Sequence, residues 1–335
     1  MSRAEAIVGG YHGQLSYVVR DSGQWQLRGQ MPTVPAPSFV LVDEQQPWLW
    51  VLNEGEQDSE LLLYQLGSGW PLRLLARAKT QGQGPCALLS WQGRIYLCHY
   101  GSGQLEAMHF DGQQLSTQAL WTATGQGACP ERQASPHLHH LLPTPDGQAL
   151  LAADLGSDSL HLLSPELQLL QSIACPAGSG PRSLLWQGHD LWVTYELSDQ
   201  LARWRWQSGQ LIPLDLVAAH DAAVGDSVDS SGHSAPRNYP SMALLLDDQL
   251  WLANRGLDRL DVFASQTAEH LFSRSLMGLF PRHMQAVPSL NDLELLIAQQ
   301  LSHQLEVLAV NSGDHYCLAV NSPTMVCLLP EAFWL

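Results

Sequence analysis

Basic residues are scarce in this chain. Only 16 of its 335 residues are Lys or Arg, no basic run occurs, and 32 Asp and Glu leave a formal net charge of −16. A nucleic-acid or anionic-membrane partner needs a concentrated cationic patch, so neither is expected. Charged residues of either sign make up only 14%, below the usual level of about a quarter. Long solvated helices draw on Glu, Lys and Arg, and their scarcity points instead to short strands and turns with a surface of Gln, Ser, Thr, Gly and His. No run approaches the roughly 18 apolar residues of a membrane span. The opening MSRAEAIVGG lacks the apolar core of a signal peptide, which predicts a cytoplasmic protein. The six cysteines, Cys86, Cys98, Cys129, Cys175, Cys317 and Cys327, show no CxxC spacing. They read as free, mostly buried thiols in a reducing compartment. There is also no GxSxG elbow, Walker loop or dinucleotide fingerprint.

What the chain does have is an imperfect internal repeat and 45% hydrophobic residues. Each copy opens with a short apolar strand, usually led by Pro. A turn follows, then an aromatic-rich strand ending in Asn, Tyr, Glu or Asp, a small-residue turn, and another alternating strand. Six copies begin at Pro37, Gly84, Ser135, Gly180, Tyr239 and Phe280. Their spacing of about 40 to 60 residues is that of a four-stranded propeller blade. Period-two alternation in ELLLYQL and SLHLL, with DG and GS turns between apolar runs, supports strands and hairpins. A seventh copy assembles from IVGGYHGQLSYVV at Ile7 and CLAVNSPTMVCLLP at Cys317. Counting alone is compatible with six or eight blades. Termini sharing one blade would close the ring and remove its exposed edges, which favours seven. The expectation is one all-β, seven-bladed β-propeller domain over residues 1–335, a monomer, with N- and C-terminal strands closing one blade. Residues 218–238, small, polar and acidic, read as a flexible insertion. It is either a plain surface loop or a lid with Arg237 and Asn238 at its root.

In such a ring, equivalent positions of the repeat converge at one end. One position follows the opening Pro: Ser38, Cys86, His137, Arg182, Ser241 and Arg282. The other ends the aromatic strand: Glu54, Tyr100, Leu155, Glu196, Arg255 and Gln300. Arg182, Glu196, Arg255 and Arg282 are costly to bury unpaired, so core packing does not explain them. They form either an anion site or structural ion pairs between blades. His137, His139 and His140 raise the question of a metal, but HLHH on a strand sends alternate side chains to opposite faces. No metal and no cofactor is expected. Trp50, Trp192, Trp204, Trp206 and Trp251 fall within strands and read as blade packing.

The phrases SPHLHH, PDGQALLAADLGSDSLHLL, GSGPRSLLW, YELSDQL, ANRGLDRLDVF and PRH, in that order, resemble the lactonase family of seven-bladed propellers. That family includes bacterial propeller-type 6-phosphogluconolactonases and fungal carboxymuconate-lactonizing enzymes. The resemblance covers Ile7 to Val310. It implies catalytic roles for His137, Arg182, Glu196 and Arg255, and places His139, Arg282 and His283 at the substrate; Arg237, at the root of the insertion, is a further substrate-binding candidate outside the resemblance. Which of His137 and His139 points inward is open. The chain departs from the family pattern at Ala87, Ser183, Tyr195 and His99.

The implied chemistry needs a base for an attacking water and positive groups where oxyanion charge grows. Glu196 or a neutral His137 would be the base. Arg182 and Arg255 would hold the oxyanion or a substrate phosphate or carboxylate. A carboxylate among arginines is a weak base, which favours histidine with Glu196 as anchor. The implied activity is hydrolysis of a small anionic sugar lactone, 6-phosphogluconolactone first. The alternatives are lactone formation from an unsaturated dicarboxylic acid and a non-catalytic propeller that binds a protein or metabolite.

Overall fold

The computed structural model describes residues 3–221, 238–289 and 292–335. It divides into two compact units. One runs to Ala123 and resumes at Arg282; the other is Thr124–Pro281. In the first unit the chain lays down β1 (Ala4–Gly10), β2 (Gln14–Asp21) and β3 (Gln24–Pro32). Next come β4 (Pro37–Val42), β5 (Trp48–Asn53), β6 (Glu60–Gln65) and β7 (Arg73–Lys79), then β8 (Pro85–Trp91), β9 (Arg94–His99), β10 (Gln104–Phe110) and β11 (Leu115–Thr122). The second unit holds β12 (Leu138–Pro143), β13 (Leu150–Asp154), β14 (Ser159–Leu163) and β15 (Leu169–Ala174). It continues with β16 (Pro181–Gln187), β17 (Asp190–Tyr195), β18 (Gln200–Gln207) and β19 (Gln210–Ala218), then β20 (Tyr239–Leu246), β21 (Gln249–Arg255), β22 (Arg259–Ala264) and β23 (His270–Ser275). The first unit is completed by β24 (Pro281–Pro288), β25 (Leu293–Gln299), β26 (Gln304–Ala309), β27 (His315–Ala319) and β28 (Pro323–Leu328).

These strands make seven four-stranded antiparallel sheets, six of consecutive strands and one ordered β28-β1-β2-β3. The fold is an all-β, seven-bladed propeller, and β1 and β28 pair in one blade, Ala6 with Leu328 through Gly10 with Pro323. The count of seven follows from those paired termini.

Burial explains why each strand reads as it does. The second strands are buried beyond their first one or two residues, as in β17, so LWVTY carries no polar alternation. The outermost strands β11 and β23 alternate buried or half-buried with exposed residues, the period-two signature of a sheet wet on one face. Trp50, Trp192, Trp204, Trp206 and Trp251 are all buried in this packing. None of the six cysteines is in a disulfide, but only Cys98 is fully buried and the other five are half-buried, less covered than expected.

A polar repeat runs through the same blades. His99 pairs with Glu106 (3.1 Å), Asp154 with His161 (3.3 Å), Asn254 with Asp261 (2.7 Å) and Gln299 with Glu306 (2.8 Å), each seven residues apart. Each third-strand member takes a further partner on the outermost strand: Thr117, Ser172, Ser273 and His315. Buried polar groups satisfied in this way fix one arrangement of the strands. In these four blades they also pin the end of the second strand.

Most of the expected insertion, including Arg237, lies outside the described residues. Its two roots meet at Asp199, which accepts from Asn238 Nδ2 (2.6 Å) and pairs with His220 Nε2 (2.8 Å).

Candidate active site

The site begins with a register shift. In β16, Pro181 pairs with Tyr195 and Ser183 with Thr194, leaving Arg182 as an unpaired bulge residue. A bulge re-aims its side chain out of the sheet. The same shift occurs at Ser38, Cys86 and Thr324 in the first unit and at Ser241 with Met242 in the second. In β12 it falls at His139, because Leu138, and not the preceding Pro136, pairs with the end of the second strand at Asp154. The structure therefore places His139 in the position equivalent to Arg182. His137 lies just outside the strand, its backbone N–H donating to Asp154 Oδ1 at 2.7 Å. β12 packs beside β16 and β16 beside β20, which brings these bulges together.

Glu196 follows the last residue of β17. Its N–H donates to the carbonyl of Gly180 at 2.9 Å. Gly180 sits at φ +61°, and a Cβ there would lie 2.5 Å from Leu197, so only glycine fits this turn. The Glu196 side chain is 3% exposed and fully engaged. Oε2 accepts from Arg182 Nη1 (2.5 Å) and Arg255 Nη2 (2.6 Å), and Oε1 accepts from Arg132 Nη2 (2.8 Å). Arg182 Nε is held by the carbonyl of Ser241 (3.2 Å) and Arg255 Nε by that of Tyr239 (3.1 Å). The Arg255 guanidinium also lies 5.1 Å from the Phe280 ring centroid.

Burial alone would raise the Glu196 pKa. Arg182, Arg255, His139 and Arg132 overcome it and hold the carboxyl well below the usual range. The carboxylate is thus a permanent anchor for three cations and a poor proton acceptor. His140, next to His139, accepts the Leu184 N–H at Nδ1 (3.3 Å). Burial and the neighbouring Arg182 push its pKa down to about 4, so it is neutral near pH 7.

Of the residues expected from sequence, the structure brings together Arg182, Glu196, Arg255 and His139. Arg282 and His283 lie on β24 in the first unit. Arg282 Nη1 donates to Gln300 Oε1 at 3.1 Å, and its guanidinium lies 5.5 Å from the Tyr11 ring centroid. Tyr11 donates to Glu54 Oε2 at 2.9 Å. His283 Nδ1 accepts the Val326 N–H at 3.5 Å. Arg132 and Tyr11 went unnoticed in the sequence. Arg132 lies in the loop between β11 and β12, outside the two repeat positions singled out in the sequence. Tyr11 does have a signal, because it follows Gly10, which pairs with Pro323 as Asn53 pairs with Pro37.

Among the described residues, no group of three His, Cys, Asp or Glu side chains gathers as a metal site requires. A cleft of about 230 Å³ in the first unit, lined by Trp48, Trp91, Arg94, His109 and Phe110 among others, contains none of the candidate residues.

The family described as "Lactonase, 7-bladed beta-propeller" matches residues 5–325. The chain belongs to this lactonase family. It is 29% identical over 188 residues to a probable 6-phosphogluconolactonase of Arthroderma benhamiae, across 53% of this chain and 48% of that protein. It is 25% identical over 240 residues to the 6-phosphogluconolactonase of Bacillus subtilis, across 68% of this chain and 66% of that one. The chain thus spans about half the length of the first of these relatives. The periplasmic gluconolactonase of Pseudomonas aeruginosa superposes with a TM-score of 0.86 at 22% identity, over 98% of this chain and 99% of that one. In this lactonase-family chain, Tyr195 points into the blade, where its hydroxyl accepts from Trp204 Nε1 at 3.3 Å. Ser183 bonds Thr194 at 3.0 Å.

Proposed function

We propose that this protein hydrolyses a small anionic sugar lactone, with 6-phosphogluconolactone as the first substrate to test. The observation that carries this reading is the convergence of Arg132, Arg182 and Arg255 on one buried carboxylate. Glu196 cancels one positive charge and spreads the three guanidinium groups in fixed orientations, an arrangement suited to oxyanions.

In the proposed reaction His139 takes a proton from water as the oxygen attacks the lactone carbonyl. The carbonyl π pair moves onto oxygen, and Arg182 or Arg255 stabilises that oxyanion. Collapse breaks the ring C–O bond, and the His139 imidazolium returns the proton to the departing alkoxide, giving the open hydroxy acid. Glu196 takes no part in proton transfer, because its oxygens are occupied and its pKa is depressed.

The test is the rate of 6-phosphogluconolactone opening at neutral pH, corrected for spontaneous hydrolysis, in the parent and in Arg182→Ala. Acceleration by the parent, cut by about 10²–10³-fold in the variant, is expected for loss of an oxyanion donor. A folded parent that gives no acceleration rejects this substrate; unphosphorylated lactones, unsaturated dicarboxylic acids and plain ligand binding then come next.

A further inference from the structure

Arg132 differs from its two companions. Its side chain is 36% exposed, whereas those of Arg182 and Arg255 are 8% and 6% exposed. The inner pair share one oxygen of Glu196, and Arg132 alone takes the other. The cluster therefore has two buried cations and one that meets solvent while fixed to the same anchor.

The loop carrying Arg132 is firmly built. Gln133, the next residue, is fully buried. Its Oε1 accepts the Cys129 N–H (2.8 Å), and its Nε2 donates to the Leu155 carbonyl (2.7 Å) and to Asp158 Oδ1 (2.6 Å). Its backbone N–H closes the turn on Cys129 (2.7 Å). A Cβ at Gly127 would lie 2.4 Å from the Gln133 amide, so the loop closes only over glycine. Asp158 also accepts the N–H groups of Gly178 (2.6 Å) and Gly180 (2.8 Å), the turn that leads into Arg182. One buried Gln–Asp bond thus locks the Arg132 loop to the Arg182 turn. Ordering an exposed arginine before the ligand arrives lowers the entropy cost of binding.

We propose that Arg132 is the specificity-determining residue of this site, the cation that reads a phosphomonoester on the substrate. Three arginines around one glutamate leave the four contacting side chains with a net positive charge, to be shared between a phosphomonoester and the oxyanion that grows at the lactone carbonyl. Three of the 16 basic residues of an otherwise acidic chain are spent here. The inner pair serves the carbonyl, and Arg132 the phosphoryl group. The inference rests on the lactonase reading for its catalytic consequence, but its binding consequence stands apart from it.

The experiment compares parent, Arg132→Gln and Arg132→Lys in two assays. In the first, kcat/KM is measured for 6-phosphogluconolactone and for unphosphorylated gluconolactone. The ratio of the two is expected to fall about 10- to 100-fold in Arg132→Gln, the loss of one charge-assisted contact. Arg132→Lys should recover part of it. In the second, calorimetry gives the affinities for 6-phosphogluconate and gluconate. The parent should prefer the phosphorylated acid, and Arg132→Gln should lose most of that preference. A parent that opens neither lactone but shows the binding preference, with Arg132→Gln losing it, rejects the lactonase reading and keeps the phosphoryl site. Equal preference in parent and Arg132→Gln, or a parent with no preference, overturns the role of Arg132. A purely structural tie to Glu196 would weaken both ligands alike and leave the ratios unmoved.

Discussion

Arg255 reaches back 59 residues to place Nη2 at 2.6 Å from Glu196 Oε2. Both side chains are nearly inaccessible, 6% and 3% exposed. Removing the carboxylate therefore strands Arg182 and Arg255 in a site that water barely reaches. Breaking a buried pair from one side costs about 3–5 kcal/mol. Glu196→Ala should lose about that much in urea unfolding, and Glu196→Gln, which keeps an acceptor oxygen but no charge, somewhat less. A Glu196→Ala protein within 1 kcal/mol of the parent, on the same scale, would show that the carboxylate does not anchor the cluster.

The bulge in β12 makes a second distinction measurable. His139 occupies the register of Arg182 and lies close enough to Glu196 to help keep it ionised. His137 is tied to Asp154 through its backbone, which any residue but proline would keep. Loss of a general base typically lowers kcat by about 10²–10⁴-fold. His139→Ala should show that loss on the best lactone, and His137→Ala only a small fraction of it. The opposite order would assign the proton transfer to His137.

Phe280 carries a strained backbone. Its φ is +66°, a conformation that bulky residues rarely adopt. Its N–H donates to Asp258 Oδ1 at 2.7 Å, as the N–H of Gly180 donates to Asp158. Phenylalanine thus stands where the repeat that opens at Gly180 has glycine, and its ring meets the Arg255 guanidinium. The left-handed backbone costs a non-glycine residue about 1–2 kcal/mol, and a cation–π contact returns about 0.5–1 kcal/mol. Phe280→Gly should therefore be more stable than Phe280→Ala by about 1 kcal/mol, the reverse of the usual order. Both variants should bind an anionic lactone several-fold more weakly. Equal stabilities in thermal unfolding would mean the strain is relieved elsewhere.

Much of this was readable in the chain. Blade number and strand order follow from the opening strands and the buried second strands, whose lengths recur because each spans the same thickness of packed sheet. For the same reason Glu196 and Arg255 fall in one register. The misplaced histidine has a physical cause: a bulge is set by which residues pair across strands, so the nearest proline is a poor marker in SPHLHH. Arg132 had no marker at all, since its position depends on a tertiary bond between Gln133 and Asp158. The buried polar pairs were also missed, because hydropathy counts His99, Asp154 and Asn254 only as strand ends. Their constant spacing of seven residues was available as a signal.

His140 sets an acid limit on the fold. Its imidazole is held down to a pKa of about 4 by burial and by Arg182, and Nδ1 must be unprotonated to accept the Leu184 N–H. An unfolded chain binds that proton near pH 6.5, so between the two values the unfolded state carries more protons. Stability then rises with pH across this window and is lost as pH falls from about 6.5 towards 4. A shift of this size corresponds to about 3 kcal/mol at its low-pH limit. Urea unfolding of the parent and of His140→Gln, followed between pH 7 and pH 4, should show the gap between them narrowing as the pH drops. The parent is more stable at pH 7 and loses that advantage near pH 4, because the glutamine has no proton to gain. A gap that stays constant across the window would mean that His140 titrates alike in the folded and unfolded chains.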